Sequence, residues 1–390
     1  MRGWYAGTAI LSEESSVQVR REILNAESNN ATQAHATGLR NASLANVAQL
    51  AEFDEVIDVR SPAEYAEDHV PGAISCPVLS DAERARVGTI YKQVSAFEAR
   101  KIGAALVARN IAAHLDALFI SKPKEWRPLV YCWRGGNRSG AMTHVLRQVR
   151  WPALQLDGGY KAYRRLVIAE LATLPQRFAF KVIAGTTGSG KSRLLQTLHS
   201  KGAQALDLEQ LAAHRGSVLG TLPDRPQPGQ KAFESALWQA LRIMDPAKLV
   251  FVEAESRKVG ELRVPEALME RMRTAPCVLL ETTQTARVQL LCAQYRHFIE
   301  APALLQEKLD CLVGVHGRSR ISAWKEMAAA GQWETLVTEL LDQHYDPAYR
   351  KSTTRNFVNV GSALVIRAEN ATAAQMNGLA DELLARLGER

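Results

Sequence analysis

The octapeptide Gly185-Thr186-Thr187-Gly188-Ser189-Gly190-Lys191-Ser192 constrains this chain more than any other stretch. It fits G-x-x-x-x-G-K-[ST], a turn whose backbone N–H groups cradle a diphosphate. The apolar run Phe178 to Ala184 before it reads as a strand, and Arg193 to His199 after it reads as a helix. Strand, anion-binding turn and helix in that order belong to a parallel α/β sheet. In such a turn Gly185, Gly188 and Gly190 shape the backbone, Lys191 reaches the phosphate charge, and Ser192 offers its hydroxyl to Mg²⁺. The motif specifies phosphate but not what carries it, so ATP and other diphosphate esters stay open. No guanine-reading N-K-x-D sequence is present, which argues against a GTPase.

Two further strands end on acids, where a parallel sheet collects its ligand groups. Ala203 to Leu206 leads to Asp207, and Lys248 to Val252 leads to Glu253. Glu253 is placed to sit beside Mg²⁺ or to orient a water; helix capping or a salt bridge is the plainer alternative. His214, Arg215 and Arg257 have the chemistry to touch substrate phosphate or RNA, or to serve as capping or surface residues. Cys277 to Leu280 reads as another core strand. A helical segment spans about 300–350, and a late strand, Ser362 to Arg367, precedes a terminal helix.

A second strand–loop–helix lies upstream. Leu129, Val130 and Tyr131 run into Cys132, followed by Trp133-Arg134-Gly135-Gly136-Asn137-Arg138-Ser139. From Gly140 to Val149 the residues Ala141, Met142, Val145, Leu146 and Val149 share one helical face. Gly135 and Gly136 permit positive φ, which lets successive N–H groups converge on one spot. The helix N-terminus adds unpaired donors, and Arg134 and Arg138 add full charges. A thiol in those surroundings ionises readily, so Cys132 reads as a nucleophile rather than an inert core thiol. The loop Trp133 to Ser139 reads as a pocket for a tetrahedral oxyanion or a chalcogen carried on the sulfur.

The 390 residues exceed one ordinary core, so two α/β domains are expected, over 45–172 and 175–390. Residues 1–44 read as a flexible lead-in, rich in Asn, Ala, Ser and Thr from Asn25 to Asn46, with an amphipathic turn around Val17 to Leu24. No apolar run looks long enough to span a bilayer, and the N-terminus lacks a signal peptide's apolar core. The five cysteines, Cys76, Cys132, Cys277, Cys292 and Cys311, show no metal-ligand spacing, and an odd, sparse set suits a reducing cytoplasm. A monomer without tightly bound cofactor and without an assigned metal is expected. The net charge of +7 and pI of about 9.2 favour a polyanionic partner.

Val56 to Val59 reads as a strand, and Asp58-Val59-Arg60-Ser61-Pro62-Ala63-Glu64-Tyr65 turns into a short helix before His69-Val70-Pro71-Gly72-Ala73-Ile74. With the later cysteine loop, this order resembles a rhodanese domain. In that family the cysteine carries sulfur or a related atom; Asp58, Arg60 and His69 are expected to be structural. The resemblance narrows with Glu83-Arg84, Val87-Gly88-Thr89, Tyr91-Lys92, Gly158-Gly159-Tyr160-Lys161-Ala162 and His214-Arg215-Gly216-Ser217. Gln227-Pro228, Phe233-Glu234, Val252-Glu253-Ala254-Glu255-Ser256-Arg257 and His344-Tyr345-Asp346-Pro347 with Tyr349 complete it. From about residue 45 onward the chain resembles the tRNA 2-selenouridine synthases, a rhodanese domain fused to a P-loop domain.

That resemblance implies exchange of sulfur for selenium in 2-thiouridine at the tRNA wobble position. Selenophosphate would supply the selenium, Cys132 would carry it, and geranyl diphosphate would first alkylate the sulfur. It implies tRNA as partner and leaves room for a selenophosphate-supplying protein. Two rivals stand beside it. The C-x5-R spacing from Cys132 to Arg138 also suits a rhodanese-fold cysteine phosphatase, and a plain sulfurtransferase would carry the same loop, either one fused to an ATP-binding kinase-like domain. A non-enzymatic module binding tRNA through its basic face is the other; the intact cysteine loop and P-loop argue against it.

Overall fold

The structure, a computed structural model, describes residues 43–388. Nearly all of the expected N-terminal lead-in, with its amphipathic turn at Val17 to Leu24, lies outside the described residues. The chain divides into two compact units between Ala169 and Glu170. The division falls inside the helix Gly159–Leu171, slightly before the linker expected at 172–175.

The first unit is built on five strands: β1 (Leu44–Ala45), β2 (Glu55–Asp58), β3 (Ile74–Ser75), β4 (Pro128–Tyr131) and β5 (Leu154–Leu156). They pair in the order β1-β5-β4-β2-β3, and every pairing is parallel. All of β4 is buried, as a central parallel strand covered on both faces must be. Its register against β2, Ile57 opposite Val130 and Asp58 opposite Tyr131, brings the carboxyl ends of the two strands level. Val130, Cys132, Met142, Leu146, Phe119 and Trp126 pack in one core, so the helix after Cys132 is clamped against the sheet.

Arg60 ties those strand ends together. Its side chain is 1 % exposed, so its charge must be met inside the protein. Nε donates to both oxygens of Asp58 (3.0 Å), and Nη2 donates to Asp58 Oδ2 and to the carbonyl of Asp68 (both 2.6 Å). The guanidinium lies 4.0 Å over the Tyr160 ring, and the Tyr131 hydroxyl donates to Asp58 (2.7 Å). Asp58 and Arg60 thus have the structural role expected of them. His69 does too: it stacks on Tyr65 at 3.9 Å and bonds the Tyr65 carbonyl.

One sequence expectation is corrected. The helical stretch Ala96–Phe119 is long and apolar enough to cross a bilayer by length and composition, though only 17 % of its apolar window is buried. Ile102, Leu106, Val107, Ile111, Leu115, Leu118 and Phe119, scattered among alanines and a few polar residues, supply that hydropathy without forming one continuous apolar block. The helix packs beside Asp81–Gln93, with Gly103 against Val87.

The second unit has five parallel strands in the order β12-β11-β6-β8-β7. These are β6 (Ala179–Ala184), β7 (Gln204–Leu206), β8 (Leu249–Glu253), β11 (Cys277–Thr282) and β12 (Leu364–Ala368). A short antiparallel hairpin, β9 (Lys258–Val259) and β10 (Leu262–Arg263), stands apart. The order reverses at β6, so a crevice opens at its carboxyl end, where the glycine-rich turn lies. Glu253 pairs in register with Ile183, which places it beside that turn. Helices from Pro302 to Asn356 form a further layer around Leu305, Leu309, Ile321, Trp324, Leu336 and Leu340.

Replacing Arg60 by Leu leaves Asp58 buried and unpaired, and should destabilise the first unit by about 3–5 kcal/mol. Lysine should rescue little, since it lacks the planar fork. Urea unfolding measures both; a loss below about 1 kcal/mol would show that the pair is not needed.

Candidate functional site

In the first unit β4 runs directly into Cys132, and the helix Asn137–Gln148 starts earlier than the apolar spacing suggested, placing Arg138 and Ser139 in its first turn. Cys132 is 4 % exposed. Its Sγ accepts from the Gly136 N–H (3.2 Å) and from the Ser139 hydroxyl (3.1 Å). Burial pushes the thiol pKa up, but these donors and the Ser139 and Arg134 N–H groups outweigh it, and the net shift is downward. Gln155 on β5 donates to the Ser139 oxygen (2.9 Å) and to the Gly136 carbonyl (3.1 Å), which fixes the donor that holds the sulfur.

The loop keeps its shape through a second turn. The Tyr160 N–H donates to the Cys132 carbonyl (2.8 Å), and Lys161 N–H to that of Trp133 (3.1 Å). Gly159 has φ of +56°, and a Cβ there would stand 2.3 Å from the Cys132 carbonyl oxygen. Only glycine fits, which accounts for the Gly158-Gly159-Tyr160 motif. Gly135 takes positive φ as expected, at +66°; Gly136 does not, having φ of −100° as the helix cap whose N–H faces the sulfur. The Trp133 and Tyr160 rings meet at 5.2 Å between centroids, tilted by 30°.

The two arginines differ. Arg134 is exposed beside the loop. Arg138 is already engaged: its Nη1 donates to Glu64 (2.7 Å), which also pairs with Arg84 (3.1 Å) and accepts from the Ser61 N–H. Arg138 therefore brings a compensated charge to the cysteine loop. Sequence reading named Glu64 only within the rhodanese motif, with no role, and missed Gln155; both lie far from Cys132 along the chain.

In the second unit the helix Lys191–Ser200 begins on the P-loop lysine. Lys191 Nζ donates to the carbonyls of Gly185 (2.6 Å) and Thr186 (3.3 Å). Ser192 Oγ donates to Glu209 (2.9 Å). The His344–Tyr349 segment fastens the loop from outside. Asp346 pairs with buried Arg287 (2.5 Å), whose Nε donates to the Thr187 carbonyl (2.8 Å), and the Tyr349 hydroxyl accepts from the Gly185 N–H (2.6 Å).

Glu253 stands against this loop with Glu209 and Glu255, one carboxylate oxygen of each lying within 4.8 Å of the others. Glu253 is fully buried, and neither of its oxygens has a hydrogen-bond partner among the described residues. Burial, then the neighbouring Glu209, Asp207 and Glu255, push its pKa far up. Burial and Glu209 likewise raise Glu255 to about 8. Hard oxygen donors, an orphaned buried carboxyl and an adjacent P-loop hydroxyl fit a Mg²⁺-like cation. Glu209 and Glu255 extend the single acid expected at Glu253.

The remaining sequence candidates separate. Gly216 packs against Glu255 and Glu209, so Arg215 belongs to the loop at the acid cluster, its guanidinium 4.8 Å over the Tyr295 ring. His214 is buried, with its pKa lowered by that burial and by Lys308, and bridges to Thr221 as a packing residue. Arg257 is exposed and pairs with Glu266, away from any contact with the P-loop.

These two sites define a rhodanese-like domain with a sheltered thiol of lowered pKa and a P-loop domain with an acid cluster. The rhodanese-like domain family matches residues 43–166, and the tRNA 2-selenouridine synthase AAA domain matches 178–311. The tRNA 2-selenouridine synthase of Sulfurovum sp. (strain NBC37-1) is 32% identical over 332 residues, 77% of this chain and 89% of that protein. That of Salmonella arizonae is 32% identical over 336 residues, covering 78% and 91%. That of Nitrosomonas europaea is 34% identical over 244 residues, 62% of this chain and 63% of its own length, so the match spans less than two thirds of that relative. The chain belongs to the tRNA 2-selenouridine synthase family.

Glu64 has a pKa below its usual range: burial raises it, but the Arg138 hydrogen bond and charge, the Ser61 N–H and Arg84 outweigh that. Its stabilising contribution is therefore present above the unfolded value of about 4.3 and lost as pH falls through the lower folded value. Glu64→Gln should lower stability at pH 7 and flatten its decline between about pH 5 and 3. Urea unfolding across that range tests this; an unchanged slope would remove Glu64 from the linkage.

Proposed function

We propose that this protein replaces sulfur by selenium at C2 of 2-thiouridine in the wobble position of tRNA. Selenophosphate is the selenium source, and S-geranyl-2-thiouridine, made from geranyl diphosphate, is the intermediate. The carrying observation is the Cys132 sulfur, sheltered and lowered in pKa by converging N–H and O–H donors, on a chain that also holds a P-loop. Family membership supports the same reading.

The chemistry explains why both sites are needed. The thiouridine sulfur attacks C1 of geranyl diphosphate, the carbon–oxygen bond breaks, and diphosphate leaves. The P-loop N–H groups bind that diphosphate, and Lys191 offsets the charge growing on it. The alkylated sulfur then departs as a thiol, a far better leaving group than a thiocarbonyl sulfur. Selenophosphate, its oxygens met by the loop N–H groups and Arg134, attacks C2 through selenium as the geranyl thiol leaves. The Cys132 thiol then takes the phosphoryl group, breaking the P–Se bond, and water releases phosphate from the cysteine, so selenium stays on C2 at its original oxidation level. Ser192, Glu209, Glu253 and Glu255 would hold a Mg²⁺ ion, which when bound would add positive charge beside the phosphates. The basic surface meets the tRNA backbone, and the wobble base is unstacked to be reached. A cytoplasmic location suits that substrate.

Cys132→Ala should reduce selenium incorporation to the uncatalysed background while tRNA binding and geranylation persist. Mass spectrometry of tRNA nucleosides, after incubation with selenophosphate and geranyl diphosphate, reads both steps; selenation by the alanine variant would remove Cys132 from the chemistry. Lys191→Ala should slow geranylation by about 10²–10³-fold and spare selenation of tRNA already geranylated. Equal loss of the two half-reactions, or strict dependence of either on ATP, would contradict a dedicated prenyl-diphosphate site.

A further inference from the structure

We propose that a cavity in the second unit holds the hydrocarbon tail of the diphosphate ester whose head lies on the P-loop; this rests on the P-loop reading above and adds the place of the tail. The cavity is partly open and encloses about 60 Å³, which at about 10–15 Å³ per water is room for roughly four to six waters, the bulk of a short hydrocarbon chain. Its wall includes Thr187, Leu291, Tyr295, Trp333, Leu336 and Tyr345. It is continuous with the phosphate loop. Thr187 belongs to that loop, and a Cβ on Gly188 would lie 2.9 Å from Leu291, so the loop rests directly on the cavity wall.

The lining says what kind of tail fits. Leucine, isoleucine, valine, phenylalanine and tryptophan carbons make up most of it. The Ser217 and Tyr295 hydroxyls in the wall already bond each other at 3.3 Å. A nucleoside would bury ring nitrogens, an amino group and ribose hydroxyls against carbon, each at substantial cost. A branched hydrocarbon buries nothing polar. Arg215 marks the polar end: it stacks on Tyr295, and its buried Nη1 has no hydrogen-bond partner among the described residues. A second cation therefore stands ready near the boundary between head and tail. The ligand class is a short isoprenoid diphosphate, read at both ends.

Calorimetry on the full chain with geranyl diphosphate and inorganic pyrophosphate tests this. Burying each methylene tightens binding about fourfold, so geranyl diphosphate should bind at least about 100-fold more tightly than pyrophosphate. Val337→Trp, from a half-buried position in the wall, should cut that preference below tenfold and change pyrophosphate affinity less than twofold. A measurement without substitution guards against a variant that misfolds. Cys292 is a half-buried thiol in the same wall, and geranyl diphosphate, but not pyrophosphate, should slow its alkylation by N-ethylmaleimide at least tenfold. Peptide mass spectrometry separates Cys292 from the other cysteines. Equal affinities, a preference that survives the filled cavity, or equal protection by both ligands would overturn the tail site while leaving the P-loop reading intact. If neither ligand binds, or Lys191→Ala leaves both affinities unchanged, the P-loop reading falls and the tail site with it.

Discussion

A helix begins with backbone amides that no preceding carbonyl can reach, and both units of this protein turn that constraint into a site. In each, a central parallel strand ends, the chain turns on glycine, and a helix starts at once. In the first unit the amides have a resident acceptor, the Cys132 sulfur, and the thiol ionises more readily although it is almost wholly buried. In the second the Gly185 amide meets the Tyr349 hydroxyl, and Lys191 folds back onto the loop's own carbonyls. The same backbone arrangement thus holds a buried thiol of lowered pKa in one place and a lysine-capped glycine turn in the other.

Holding such turns in shape falls to buried charges. Arg60 joins the ends of β2 and β4 to the Tyr160 turn; Glu64 holds Arg138; the Arg287–Asp346 pair reaches the Thr187 carbonyl. Buried ion pairs contribute little net stability compared with apolar replacements, because desolvation consumes most of the Coulomb energy. What they supply here is direction: a guanidinium fork fixes two or three acceptors at once, which an apolar contact does not. Each pair lies one bond away from a loop that must keep its amides aimed.

The parts written locally were legible in the sequence. Both strand–turn–helix units, Cys132, Lys191 and the strand ending in Glu253 each depend on a few adjacent residues, and periodicity with glycine placement reveals them. What was not legible depends on strand order. Glu64 reaches Arg138 and Gln155 reaches Ser139 only because β2 and β5 flank β4. Glu209 and Glu255 join Glu253 only once the chain folds around the end of β8, although the Glu253-x-Glu255 spacing was visible. Gly136 shows the reverse error: glycine permits positive φ without requiring it, and this one serves as a helix cap with φ of −100°.

The acid cluster sets a condition on the second site. Glu209, Glu253 and Glu255 stand beside a loop that is built for anions, and Lys191 and Arg215 both act electrostatically on Glu209. Three ionised carboxylates against two cations would leave the neighbourhood negative and repel a diphosphate. Protons relieve this in part: burial and Glu209 push Glu255 up to about 8, and burial with the same neighbours pushes Glu253 up as well. A divalent cation would relieve it more completely, releasing those protons and reversing the sign of the local charge. The local charge at this loop is therefore governed by how its carboxylates are neutralised as much as by the loop itself. The basic charge of the whole protein cannot substitute, because ions in solution screen it beyond roughly 10 Å.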